Sequence, residues 1–291
     1  MIFDVSHKTH YHYTMPVVQS RHLIHMSPRP LQRQVIKNHG LIVVPTPALR
    51  TDGIDALGNS VTNLDIEVAH RELILHARTT VETLALSNVN PARTVPWDRI
   101  DDGLGNSGGG LPLDVIRYRC VSRLTTASRE IRDYAKLSFT LGRPVIEAAI
   151  DLNERIFREF TFDNTATDIS TPVETVFKKK RGVCQDFAHF GLTCLRAMRV
   201  PARYVSGYIL TRPPPGQTKM QGADASHAWI SVWSPETGWV DLDPTNGIVA
   251  ADEHITIAYG RDYDDVSPIS GVLLGGGEHT VSVAVDVVPV A

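Results

Sequence analysis

His227-Ala228-Trp229-Ile230-Ser231-Val232-Trp233-Ser234-Pro235-Glu236-Thr237-Gly238-Trp239-Val240-Asp241-Leu242-Asp243 is the stretch that organises the rest of the chain. Two alternating runs flank Ser234–Gly238, which predicts a β-hairpin with a five-residue loop. On the first strand His227, Trp229, Ser231 and Trp233 share one face. With that loop Trp233 opposes Trp239, Trp229 opposes Asp243 and His227 opposes Thr245. Asp243 is then the diagonal neighbour of His227, with Cβ atoms roughly 7–8 Å apart or less. Asp241 instead opposes Ser231, two rungs away. A slip of one residue would undo the pairing. The expected partners are therefore His227 and Asp243.

Upstream, Arg181-Gly182-Val183 leads into a helix predicted over Cys184–Met198, with Ala188, Gly191, Leu192, Leu195 and Met198 on one apolar stripe. Cys184 stands in its first turn, where unpaired N–H groups and the positive end of the dipole favour a thiolate. Four residues before Ala188, it also lies on the inward edge of the helix. The plainer alternative is a buried structural thiol. Cys194, mid-helix, and Cys120, in an apolar-poor stretch, lack the dipole argument and read as structural. A helix-terminal thiol with a His–Asp pair is the set that thiol acyl transfer needs. Asp186 reads as favouring the helix N-terminus, with tuning of the thiol as the alternative.

The flanking sequence divides in two. Residues 1–88 hold short alternating runs, such as Thr9–Tyr13, Leu41–Val44 and Leu73–Ala77, and a turn at Asp55–Asn59, which suggest a sandwich or barrel. Residues 89–112 form a Gly/Pro/Asp-rich linker; its Gly103–Gly110 run lacks the Gly-Lys-Ser/Thr ending of a phosphate loop. From 113 the period becomes helical. An apolar stripe of Ile146, Ala149, Ile150, Ile156, Phe157 and Phe160 predicts a helix over 144–161. Thr171-Pro172-Val173-Glu174 predicts a capping box with Pro at the first helical position. Ala202–Leu210 reads as a strand, Pro213–Gly216 as an exposed loop, and Val281, Val283, Val285 and Val287 as one face of a closing strand.

The run Arg181–His189, then Pro201–Tyr208, Ser226-His227-Ala228-Trp229 and Gly238–Asn246 resemble the bacterial transglutaminase-like superfamily, cysteine-protease-like proteins whose core is similar to papain and to animal transglutaminases. Weaker similarity extends over almost the whole chain. The resemblance implies an α+β fold: a papain/transglutaminase-like core at 113–265, a β-rich, sandwich-like N-terminal module at 1–88, and a C-terminal extension at 266–291. It further implies Cys184 as nucleophile, His227 as general base and Asp243 as the orienting acid. Animal transglutaminases carry a tryptophan upstream of the cysteine for the oxyanion; here the only upstream tryptophan is Trp97, in the linker. The backbone N–H of Cys184 and the side chains of Gln185 and Trp229 are the remaining candidates for oxyanion or substrate contact.

Composition excludes several classes. At 291 residues the chain is expected to form about two domains without a disulfide or metal staple. With 42% hydrophobic and 21% charged residues it reads as globular. Its 29 Lys+Arg against 32 Asp+Glu leave a net charge of −3, which removes the basic footprint of a nucleic-acid binder. No apolar run nears the roughly 18 residues of a membrane span, and Met1–His7 does not read as a signal peptide, so a cytoplasmic location is expected. No cofactor or metal is expected. His7, His10 and His12 read as an N-terminal strand. Cys184, His189 and Cys194 point apart on one helix. Lys178-Lys179-Lys180-Arg181 reads as a solvated helix end. The functional expectation is hydrolysis of a peptide or protein amide through a Cys184 thioester. The alternatives are transfer to an amine, or a binding module that has kept the fold.

Overall fold

A computed structural model of the protein describes residues 1–84, 89–101, 111–211 and 226–290. The Gly-rich run at 103–110 and the proline loop at 213–216 lie outside the described residues. The first part of the chain forms five strands: β1 (Ile2–Ile24), β2 (Gln34–Val44), β3 (Leu49–Ile54), β4 (Ser60–Ile66) and β5 (His70–Thr83). β1 is one 23-residue strand that changes partners along its length. Its first half pairs with β5, and Ser20–Ile24 pairs with β4. Register with β5 shifts between His12 and Val17, where Pro16 can donate nothing to a ladder. Such a break bends the strand and curls the sheet. β3 and β4 join through the expected turn: Asp55 Oδ1 accepts from Leu57 N and Asn59 N, both at 2.8 Å, and Gly58 takes φ 79°.

The second part is helical first, with α1 (Leu113–Ile116), α2 (Arg129–Lys136), α3 (Val145–Glu159), β6 (Thr161–Phe162), α4 (Val173–Lys179), β7 (Arg181–Gly182) and α5 (Cys184–Ala197). Then follow β8 (Ala202–Ile209), β9 (Ser226–Ser234), β10 (Gly238–Asp243), β11 (Ile248–Val249) and β12 (His254–Gly260). These last five form a sheet in the order β11-β10-β9-β8-β12. The α+β class and the β-rich N-terminal region are both present. α5 lies across β9, and a Cβ on Gly191 would already stand 3.2 Å from Ile230 Cδ1.

Three details depart from the pattern reading. Phe157, expected on the buried stripe of α3, is half exposed, its ring lying against Gly247. Pro172 occupies the N-cap position of α4 and no capping box forms. Thr171 Oγ1 instead bonds Asp168, closing its own turn before the helix. The stretch read as a linker is packed: Val95 O accepts from Val145 N at 2.9 Å, and Ile100 and Leu111 are buried in the main core.

The tail completes the N-terminal sheet. β13 (Ile269–Gly275) pairs with Val17–Ile24 of β1, and β14 (His279–Val290) pairs with Ile2–Tyr13. Only Val285 and Val287 of the closing strand are buried, and with Phe3, Val5 and Val81 they join the same apolar cluster as α3, α5 and β9. Two side-chain amides then join the sheets. Gln34 bonds Thr256 N at 2.8 Å and Thr256 O at 2.6 Å; Asn59 bonds Tyr259 N and Tyr259 O, both at 2.8 Å. They stand in for a further strand along the outer edge of β12, whose backbone would otherwise be buried without partners.

Asn59→Leu is therefore expected to destabilise the protein by roughly 2–4 kcal/mol, since it strands two buried backbone groups. A lowered urea midpoint with an unchanged m-value would support this; an unchanged midpoint would contradict it. Acid sensitivity follows from two buried histidines. Burial, aided by His76, lowers His7 to about 4, and burial lowers His189 to about 4. Below the ordinary value near 6.5 the unfolded chain takes up protons that the fold refuses. Stability should thus fall between pH 6.5 and 4, by up to about 1.4 kcal/mol per pH unit for each group. Urea titrations across that window check the slope, and a flat profile would contradict it.

Candidate active site

The turn before α5 aims the thiol. The parallel pairing of Thr161–Phe162 with Arg181–Gly182 fixes the approach of the chain. Asp186 Oδ2 then accepts from Val183 N at 2.8 Å and from Thr167 Oγ1 at 2.6 Å. Burial raises its carboxyl above the usual range, against these two bonds. Gly182 is required here, because a Cβ on it would stand 2.6 Å from that same oxygen. Asp186 therefore serves as the helix cap. Cys184 begins the helix, partly exposed, with first-turn N–H groups that have no intrahelical partner. Cys194 is fully buried, which pushes its thiol up, and Cys120 is exposed.

The hairpin has the expected register near its loop, but the expected pairs Trp229–Asp243 and His227–Thr245 lie beyond the end of the ladder. Trp233 pairs with Trp239 and Ser231 with Asp241, the ladder with β9 ends at Ile230 and Leu242, and on the other edge of β10 Leu242 and Asp243 pair with Val249 and Ile248. His227 Nε2 lies 2.7 Å from Asp243 Oδ2. That leaves Nδ1 free of Asp243, and Cys184 lies near enough to His227 to favour its protonated form. Burial alone would lower His227. The bonds and charges of Asp243 and Cys184 outweigh it and raise the imidazole to about 10.

Asp243 has no exposed side-chain surface and, among the described residues, is met by five donors. Oδ2 also accepts from Asn246 Nδ2 at 2.7 Å and faces His254 Nε2 at 3.0 Å; Oδ1 accepts from Thr245 N at 2.9 Å and Asn246 N at 3.2 Å. Burial would raise this carboxyl, yet the bonds from His227 and His254 hold it well below the usual range. His227, Asp243 and His254 lie close enough together to suggest a metal site. The proton inventory argues otherwise. Ala251 N donates to His254 Nδ1 at 3.3 Å, so the imidazole proton sits on Nε2 and faces Asp243. A metal on Nε2 would need the proton on Nδ1, against that N–H.

Other singled-out residues fall elsewhere. Trp229 is fully buried behind His227, with its Nε1 donating to Asp241 Oδ2 at 3.2 Å, so it has no donor to offer an oxyanion. Its ring fills the space above Gly207, where a Cβ would stand 2.5 Å from it. Gln185 Nε2 reaches Ile169 O at 3.4 Å, and Trp97 Nε1 donates to Thr140 O at 2.8 Å. His7 bonds Tyr208 Oη at 2.7 Å, while His10 and His12 flank Glu72. His189 Nε2 accepts from Tyr263 N at 3.1 Å.

The basic run is not a uniformly solvated end. Lys180 adopts φ 53° and lays its ammonium over the rings of Tyr134, Phe160 and Phe177 at 4.2–4.4 Å. The residues that pattern reading missed are Asn246 and His254. Asn246 stood inside the quoted motif without a role. His254 opens an apolar strand that runs to Gly260, and no local pattern marks it.

The transglutaminase-like superfamily matches residues 134–244, and the bacterial transglutaminase-like N-terminal region matches residues 3–82. An uncharacterized protein of Mycobacterium tuberculosis is 37% identical over 296 residues, covering 99% of this chain and 92% of that one. One from Mycobacterium leprae is 31% identical over 299 residues, covering 99% and 98%. A protein-glutamine gamma-glutamyltransferase of Pseudomonas aeruginosa is 33% identical over 87 residues, 30% of this chain and 13% of that protein. In fold, the chain is similar to the solved structure of a "Putative Cysteine Protease" from Cytophaga hutchinsonii, with TM-score 0.75 and 20% identity over 100% of this chain and 92% of that one. The curled N-terminal sheet and the core carrying Cys184, His227 and Asp243 thus have one source: the chain belongs to the transglutaminase-like superfamily.

Proposed function

We propose that the protein is a thiol-dependent acyl-transfer enzyme that cleaves a peptide or protein amide through a Cys184 thioester. The observation that carries this reading is the 2.7 Å bond of one imidazole, His227, to Asp243, with Cys184 near enough to favour its protonated form. In the first step Sγ, whose proton His227 has taken, attacks the carbonyl carbon. The C–N bond then breaks as His227 gives its proton to the leaving nitrogen, and the amine departs. In the second step water attacks the thioester, His227 takes its proton, and Cys184 leaves as the thiolate. The backbone N–H of Cys184 is the donor available to the oxyanion. Hydrolysis is the favoured outcome. Transfer to a primary amine is the second reading, supported by the local similarity to the Pseudomonas aeruginosa glutamyltransferase.

Cys184→Ala should lower turnover of an amide substrate by at least about a thousandfold while the protein stays folded. A binding module would be indifferent to that change. Reactivity can be read without a substrate. In the wild type, Cys184 should react with iodoacetate well below pH 8, because the neighbouring imidazolium attracts the anionic reagent. His227 is raised to about 10, so this charge is present below that value and lost as pH rises through it. Mass spectrometry should find the low-pH reactivity gone in His227→Ala; an inert Cys184, or equal rates in both proteins, would sink the catalytic reading. Adding a primary amine to the substrate assay tests the partition. The free acid should remain the main product, and a predominant amine adduct would reverse the preference.

A further inference from the structure

Asp243 Oδ2 lies between two imidazoles. His227 Nε2 is 2.7 Å away on one side and His254 Nε2 is 3.0 Å away on the other. His254 is buried, and the bond from Ala251 N to its Nδ1 holds its proton on Nε2. Its ring is wedged edge-on against Trp229, with centroids 5.1 Å apart. Trp229 in turn is tied to Asp241, which pairs with Arg33 of the N-terminal module. The second histidine is thus held in both its tautomer and its plane. The catalytic reading gives it no task.

We propose, on the footing of that reading, that His254 is a positioning residue: its Nε2–H fixes Asp243 Oδ2 and draws off part of its charge, so that His227 can release the proton it carries. A carboxylate bonded to His227 alone would hold the imidazolium proton more tightly and make it a poorer acid toward the leaving amine. Sharing the oxygen between two N–H donors moderates that hold without loosening the geometry. The titratable groups facing this oxygen are His227 from β9 and His254 from β12, with Cys184 of α5 beyond His227. Among the described residues Asn246 is the remaining side-chain donor. Asp241 of β10 lies behind Trp229 and is engaged with Arg33.

The test is an NMR titration of His227 in a Cys184→Ala background, which removes the thiol's own contribution. His254→Phe should raise the His227 titration midpoint by about one pH unit, and His254→Gln, which keeps a donor in place, should leave it within about 0.3 unit. In Cys184-intact protein, His254→Phe should lower kcat about tenfold with KM within twofold, and His254→Gln should restore most of it. A tautomer assignment on the wild type needs no variant to fold: nitrogen-15 shifts should place the His254 proton on Nε2. An Nδ1–H tautomer, or equal midpoints in the Phe and Gln variants, would overturn the inference while leaving the catalytic reading intact. Loss of the His227-dependent reactivity of wild-type Cys184 would overturn both.

Discussion

A carboxylate with no exposed surface is the constraint around which the site is built. Asp243 is ionised in a place water does not reach, and a buried charge of this kind costs several kcal/mol unless hydrogen bonds replace its hydration. Among the described residues five donors do so: two imidazoles, one side-chain amide and two backbone N–H groups of the following turn. Each donor is itself held. Thr245 and Asn246 are held by the turn that follows β10, His227 by β9, and His254 by Ala251 N and the Trp229 ring. Removing any support leaves a buried charge short of a partner, so geometry and electrostatics favour the same arrangement.

The same logic explains why the N-terminal module accompanies the core. Asp241, also buried, takes Trp229 Nε1 on one side and Arg33 on the other, and Arg203 lies over the rings of Trp239 and Tyr259. Gln34 and Asn59 close the unpaired outer edge of β12, the strand that begins with His254. A continuous apolar cluster runs from Phe3, Val5 and Val285 to α5. The β-rich region is therefore part of the wall behind the site. Through Arg33 it reaches within two side chains of His227.

Much of the site was legible because its spacing is local. The period of two around Trp233 and Trp239 set the register near the loop, and extending it put His227 and Asp243 within reach of each other, where they bond at 2.7 Å. The first-turn position of Cys184 could be read from Gly182 and the stripe that follows. What could not be read had no local signal. Lys180 looked like one of four solvated cations until Tyr134, Phe160 and Phe177, from three different segments, surrounded it. Trp229 looked available to a substrate because its face was known and its depth was not.

Alternation and helical period, acting over a few residues at a time, determined the class of fold, the hairpin, the helix that presents Cys184 and the identity of the His–Asp pair. Contacts between residues far apart in the chain decided the rest. β1 has no way to announce that its partners lie at 70–83 and 279–290, since a strand's hydrophobic pattern records which face is buried and not which edge is paired. His254 is the clearest case. Its role depends on one oxygen eleven residues upstream, one backbone N–H that fixes its tautomer and one indole that fixes its plane, and only the folded chain brings these together.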